Sequence, residues 1–220
     1  MEKYFIGIDS GTSGIKAVLF DLKGNEIGQK SFPLKGIFPR EDMYEEDMLE
    51  IWDKAVKCVK AVTEAFPDKE IVGIGITAQG DGLWMVDENM EPVRNGCCFC
   101  DGRAAKIVDR WVEDGTCDKL FEITGTRIFT GNQNGIVKWM EEHEPENLDK
   151  SRWLLHLKDY LFYRFTGKVT TDATDQSLIF LDQNKRDYLD ETFKICGIEK
   201  YKDKYPPVLS AKENAFPVQK

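Results

Sequence analysis

The hydrophobic period changes twice within the first 78 residues, and that double change restricts the chain to few folds. Residues 3–9 (Lys-Tyr-Phe-Ile-Gly-Ile-Asp) form a short β-rich run, followed by the turn Ser10-Gly11-Thr12-Ser13-Gly14. Residues 15–21 read as a second strand, ending in the turn Asp21-Leu22-Lys23-Gly24-Asn25. A third covers 26–34, where Pro33 weakens its end. Three strands joined by short turns predict an antiparallel meander. The period then becomes helical: Met48, Trp52, Ala55, Val56, Val59, Val62 and Phe66 form one apolar stripe over 47–66, stopped by Pro67 and Asp68. Residues 71–77 (Ile-Val-Gly-Ile-Gly-Ile-Thr) return to an almost continuous β-branched run. That pattern predicts a central strand buried on both faces, with glycines admitting a close neighbour. The order is β-β-β-α-β, the core of an α/β fold with a mixed sheet.

Beyond it, the turn Gly80-Asp81-Gly82 leads to a strand over 83–86 and a hairpin turn at Asp87-Glu88-Asn89. After Gly102 the pattern is mainly helical, with helices expected over 103–114, 117–124, 133–143 and 158–166, the last closed by Gly167. Strands are expected over 153–157 and 177–181 and a short helix over 190–196, and the chain reads as irregular from Pro206. No internal repeat is visible.

The 220 residues carry a net charge of −9, which argues against nucleic-acid binding. A nucleotide substrate stays admissible, since Mg2+ and backbone N–H groups supply positive charge locally. No signal peptide opens the sequence, and no apolar run approaches the roughly 20 residues that span a bilayer. These features predict a cytoplasmic location with no membrane partner. Of six cysteines, Cys97-Cys98-Phe99-Cys100 superficially suggests a metal or iron–sulfur site. It lacks a matching C-x-x-C pair and a nearby histidine, so buried reduced thiols on a strand are the expectation.

Three segments carry chemistry. In Asp9-Ser10-Gly11-Thr12-Ser13-Gly14-Ile15-Lys16 the glycines let a backbone approach a polyanion, successive N–H groups form an anion-binding concavity, and Lys16 adds a charge. Asp9, at a strand end, is placed to hold a hydrated Mg2+. A Walker A loop is excluded, because Gly-Lys-Ser/Thr is missing and a strand follows. A plain hairpin turn of small residues has the same composition. In Gln79-Gly80-Asp81-Gly82 a buried strand runs out into polar groups that can hold a polyol, Gln79 donating and accepting, Asp81 accepting two hydroxyls. Asp81 also suits an ordinary turn, and Trp84 suits a core as well as a cleft wall. In Asp101-Gly102-Arg103 an arginine in the first turn of a helix opposes the helix dipole, which predicts an anionic partner, ligand or structural carboxylate.

Taken in order, these segments resemble the FGGY carbohydrate kinases. Residues 6–16 with the following Val-Leu-Phe-Asp-Leu-Lys-Gly turn are similar to the family's first phosphate segment. Residues 75–82, the Asp-x-x-x-x-Pro-Val-Arg-Asn run from Asp87 to Asn95, and Asp101-Gly-Arg103 follow in the family's order. So do Lys138-Trp139 with His143-Glu-Pro145, Leu157-Lys-Asp-Tyr-Leu161 with Thr166-Gly167, and Thr171-Asp172-Ala173 with Ser177. The resemblance implies an actin-like, ribonuclease-H-like fold and a two-domain kinase using ATP and Mg2+ on a small sugar or polyol. It implies Asp9, Gly11, Thr12, Ser13 and Lys16 at the phosphates and Mg2+, with Lys16 standing where some relatives have Arg. It implies Gln79, Gly80, Asp81, Asp101 and Arg103 at the sugar. Glycerol kinases carry Arg-Glu after the glutamine and many xylulokinases Met-His, so Gln-Gly-Asp-Gly is more similar to kinases of L-xylulose or erythritol.

On this resemblance residues 1–220 are the amino-terminal, sugar-binding domain, a truncated part of the kinase. The catalytic Asp base and the adenine site then lie beyond Lys220. The chain alone is expected to bind ligand weakly without turnover, and a homodimer is the assembly expected of the enzyme. Two other readings compete: an activating ATPase of a radical dehydratase, which would use the cysteine run, and a non-catalytic sugar-binding domain.

Overall fold

A computed structural model of the chain describes residues 2–176, 180–182, 184–210 and 212–219. The chain begins with strands β1 (Lys3–Ser10), β2 (Gly14–Asp21), β3 (Glu26–Pro33) and the two-residue β4 (Glu45–Glu46). Helix α1 (Met48–Ala65), β5 (Glu70–Ala78), β6 (Trp84–Val86) and β7 (Gly96–Cys97) follow. Next come α2 (Ala105–Glu113), α3 (Thr116–Thr124), α4 (Gln133–His143), α5 (Pro145–Lys150), β8 (Trp153–Leu155) and α6 (Leu157–Thr166). The last elements are β9 (Thr171–Asp172), α7 (Ala173–Gln176), α8 (Asp190–Ile195), a 3-10 turn (Glu199–Lys204) and β10 (Val208–Leu209).

The main sheet has the order β3-β2-β1-β5, antiparallel except for the parallel pair β1 and β5. The meander forms as its turns dictate. Asp47 caps α1, its carboxylate accepting from Leu49 and Glu50 N–H. The apolar stripe of Met48, Ile51, Ala55, Cys58 and Val62 packs with Ile6, Ile8, Ile15, Ala17 and Leu19 of the sheet. Helix α6 seals the same core through Leu157, Tyr160, Leu161 and Phe165, and Gly167 ends it in the left-handed region.

One expectation fails. Strand β5 is the sheet's edge, pairing only with β1 among the described residues, and Val72 is 42% exposed. A β-branched run signals burial but not which side supplies it, and here α6 covers one face while the other is open. Its glycines do admit a neighbour: the Phe5 ring lies over Gly73, where a Cβ would come within 2.9 Å of it.

A second core gathers α2, α3, α4 and α8 around Ile107, Trp111, Leu120, Ile136 and Met140. Phe180 stacks on Phe193 at 4.2 Å within it. Cys97 belongs to this second core and Cys98 to the first, so these neighbours diverge, while Cys100 is exposed. The expectation of three buried thiols on a strand therefore holds only for Cys97. The strand expected over 177–181 lies largely outside the described residues; Leu181 makes a single bridge to Tyr188. No helix among the described residues is long and apolar enough to cross a membrane.

Candidate functional site

Because β1 and β5 run parallel, their carboxyl ends emerge at the same side of the sheet, the side at which open α/β sheets bind ligands. The β1–β2 turn closes with Gly11 N–H donating to Gly14 O at 3.0 Å. Leu34 N–H binds the Ser13 carbonyl at 3.1 Å, and the Tyr44 hydroxyl donates to the Thr12 carbonyl at 3.3 Å. The hydroxyl of Ser10 is buried with no partner. Asp9 lies in register with Lys16 on β2 and Thr77 on β5, so the three share the open face of the sheet. Among the described residues neither Asp9 nor Lys16 enters an ion pair, and Asp9 and Ser13 are exposed. A carboxylate at a strand end with no cation of its own suits a hydrated divalent ion.

Gln79 is fastened beside this turn, its N–H donating to Ser10 O at 2.8 Å. The chain then reverses through two left-handed residues, Asp81 at φ 54° and Gly82 at φ 74°. A Cβ on Gly82 would collide with the Cys97 carbonyl oxygen, so the turn requires glycine there. Asp81 ends 7% exposed, with Oδ1 accepting from Asn132 Nδ2 at 2.7 Å. Burial raises its carboxyl above the ordinary value, opposed by the Asn132 hydrogen bond and by His156. Gly80 is half-buried, and Trp84 is wholly buried in the first core.

Asp101 and Arg103 are closed upon one another rather than open to a ligand. Asp101 Oδ1 accepts from Arg103 N at 2.9 Å and Nε at 2.8 Å, and Oδ2 accepts from Tyr44 N at 2.8 Å and Arg103 Nη2 at 3.0 Å. Glu45 accepts from the same Nη2 at 2.6 Å and from Arg94. Burial opposes the Arg103 charge, but the Asp101 and Glu45 carboxylates hold it above its ordinary value. The anionic partner expected for Arg103 is therefore structural, and both side chains show no exposed surface. Arg103 Nη1 is buried without a hydrogen-bond partner, and a place for the pair at the sugar stays what the resemblance implies. The pair fixes the loop that presents Tyr44 and β4 to the cleft.

Sequence reasoning missed three contributors. Asn132 stands at the N-cap position of α4 without a side-chain bond to the helix; its Oδ1 takes the Phe129 N–H at 2.7 Å and its Nδ2 reaches 51 residues back to Asp81. Glu46 accepts from Gln79 Nε2 at 2.8 Å. A buried polar group surrounds His156, whose backbone N–H donates to Asp159 Oδ2 at 3.2 Å and whose ring meets Gln176 at 3.3 Å. Burial works against the imidazolium, but Asp159, Asp175 and Asp81 raise its pKa on balance. The candidate ligand atoms of His156, Asp159 and Asp175 lie within 4.8 Å of one another. Lys158 already occupies this ground, with Nζ 2.6 Å from Asp172 and 2.8 Å from Asp175. A cap before a helix is visible in sequence; pairings across 33 and 51 residues are not.

Residues 4–220 match the FGGY family of carbohydrate kinases, N-terminal domain. The L-xylulose/3-keto-L-gulonate kinase of Escherichia coli is 37% identical over 169 residues, covering 76% of this chain and 34% of the relative. The erythritol kinase of Brucella abortus is 29% identical over 97% of this chain and 41% of its own length. A ligand-bound xylulose kinase from Lactobacillus acidophilus superposes with a TM-score of 0.91 at 25% identity, over 99% of this chain and 44% of that one. The chain thus spans less than half the length of these relatives.

Proposed function

Because the chain belongs to the FGGY family of carbohydrate kinases, with an actin-like fold, we propose that it is the substrate-binding half of an enzyme that moves the γ-phosphate of ATP to a hydroxyl of a ketopentose or tetritol. Family members use ATP; the polyol, the Mg2+ and the division of labour belong to this proposal. The observation that carries it is the Gln79 N–H to Ser10 O bond. That bond holds a hydroxyl-binding turn against the end of a phosphate-type turn, as transfer between two ligands requires.

Phosphoryl transfer leaves a protein little covalent work; positioning and charge stabilisation do most of it. The N–H groups and hydroxyls of Gly11, Thr12 and Ser13, with the Lys16 ammonium, would meet phosphate oxygens, and Asp9 would hold Mg2+ through water. The ion supplies positive charge to the phosphates when bound. Gln79, Gly80 and Asp81 would line the sugar, with Asn132 holding Asp81 in place. Asp81 is committed to Asn132, and Asp172 and Asp175 to Lys158, so these acids are poorly placed to take the hydroxyl proton. The base is therefore assigned to the part of the kinase that this chain does not span, and the chain alone is expected to turn over nothing.

The relatives named for L-xylulose and erythritol favour those two substrates over glycerol and D-xylulose. ATP consumption by the full-length enzyme with all four tests this. Asp81→Asn should lower kcat/KM about 10- to 100-fold, the loss of one or two charge-assisted bonds. An unchanged value would return Asp81 to a turn residue.

A further inference from the structure

Two adjacent glutamates on β4 show which carboxylate the fold leaves without a cation. An extended strand sends neighbouring side chains to opposite sides. Glu45 goes to Arg94 and Arg103. Glu46, 1% exposed, goes to Gln79, and among the described residues no ion pair reaches it. Around it stand the Cys98 and Cys100 thiols from the loop after β7, Tyr44 from the residue before β4, and Glu50 from α1. None of these brings positive charge. Both Glu46 Oε1 and Gln79 Oε1 are buried without a hydrogen-bond partner. A buried carboxylate with no cation costs stability, so its position calls for a reason.

A carboxamide is ambivalent: one end donates, the other accepts, and a half-turn exchanges them. Gln79 has its main chain tied to Ser10, so this half-turn is its principal freedom. We propose that Glu46 is a positioning residue that removes the ambivalence: by accepting from Nε2 it leaves the carbonyl Oε1 of Gln79 as the group offered to substrate. The site then selects a hydroxyl hydrogen at this point against a carbonyl or ether oxygen. This rests on the kinase reading and adds a specificity determinant to it.

Only the carboxylate acts this way. A protonated Glu46 carries a donor beside its acceptor and tolerates either orientation of Gln79. Burial pushes the Glu46 carboxyl up to about 7, with the Cys98 thiol and Gln79 amide pulling it down and Glu50 pushing it further up. The two forms therefore exchange near neutral pH.

The test is steady-state kinetics of the full-length enzyme from pH 6 to 8.5, sugar varied and ATP and Mg2+ saturating. The ionised fraction of such a carboxyl rises from about one tenth at pH 6 to about nine tenths at pH 8. With both orientations open to the protonated form, the wild-type KM for the polyol should fall up to about twofold over that range, with kcat changing much less. Glu46→Gln carries donor and acceptor at every pH and should keep the high KM throughout. Titration of the nucleotide and of the base is common to both proteins and cancels in their ratio. A KM ratio independent of pH overturns the proposal. So does a wild-type KM that is flat with pH, a measurement that stands even if the variant fails to fold. A wild type consuming no ATP with any polyol overturns this proposal and the kinase reading together.

Discussion

Replacing Glu46 by glutamine should remove a pH dependence from the stability of the fold. The group's folded pKa is raised from 4.5 to about 7, so the folded state holds its proton where the unfolded chain has released it. The contribution of Glu46 to stability is then fully present below pH 4.5 and declines as pH rises through about 7. Above that it is constant. At about 1.4 kcal/mol per pH unit, the whole decline amounts to about 3 kcal/mol. For a chain of this size that corresponds to roughly 6–12 °C in Tm. The amide introduced by Glu46→Gln keeps an acceptor for Gln79 Nε2, and any misfit of its own N–H groups adds an offset that does not vary with pH. The slope of the difference is therefore the readout. Urea unfolding of both proteins at half-unit steps from pH 4.5 to 8.5 should show the variant gaining on the wild type up to about pH 7 and no further. A difference that stays constant across this range would refute the claim that Glu46 is buried without a counter-charge.

Two further expectations follow from the turns. At Gly11 an added Cβ meets nothing nearer than the Gly14 carbonyl oxygen at 3.8 Å, so Gly11→Val should leave the thermal midpoint nearly unchanged while ATP turnover is lost; a destabilised variant would mean the turn itself needs glycine. Gly82→Ala adds a positive-φ penalty to a collision with the Cys97 carbonyl, and should cost more than about 1 kcal/mol in chemical denaturation; a neutral substitution would show that the Asp81–Gly82 turn can relax.

What was legible in the sequence was local. The meander, the helices over 133–143 and 158–166 and the Gly167 cap depend on neighbours a few residues apart, and they form as written, while the buried line of α1 runs through Ile51 and Cys58 rather than Trp52, Val56 and Val59. Residues 71–77 announced a strand but not its place, because edge and centre share the same β-branched composition. Asp9, Lys16, Gln79 and Asp81, proposed for the two ligands, stand out in the sequence through the turns that carry them. Asp101 and Arg103 were recognisable as a charged pair, but only the fold shows that they bind one another and share Glu45. Asn132 and Glu46 were invisible because their partners lie 51 and 33 residues away. The three carboxylates around His156 were all in the sequence; that Lys158 joins one of them, Asp175, to Asp172 was not.

The outer edge of β5 is also an unpaired edge among the described residues. Along Glu70–Ala78 one row of backbone N–H and C=O groups has no strand opposite it among the described residues. No proline or lysine interrupts the run, and two of its nine residues are glycines, at positions 73 and 75. Natural sheets blunt such edges with charge, bulges or cover, and here the one such device in the strand is the register shift that leaves Val72 out of the ladder between Ile71 and Gly73. The groove of about 690 Å³ beside it, lined by Val72, Phe162, Phe165 and Phe216, adds apolar surface to the same side. When this chain is handled by itself, that row is backbone left open to another strand, and one inward-pointing charge along β5 would close it.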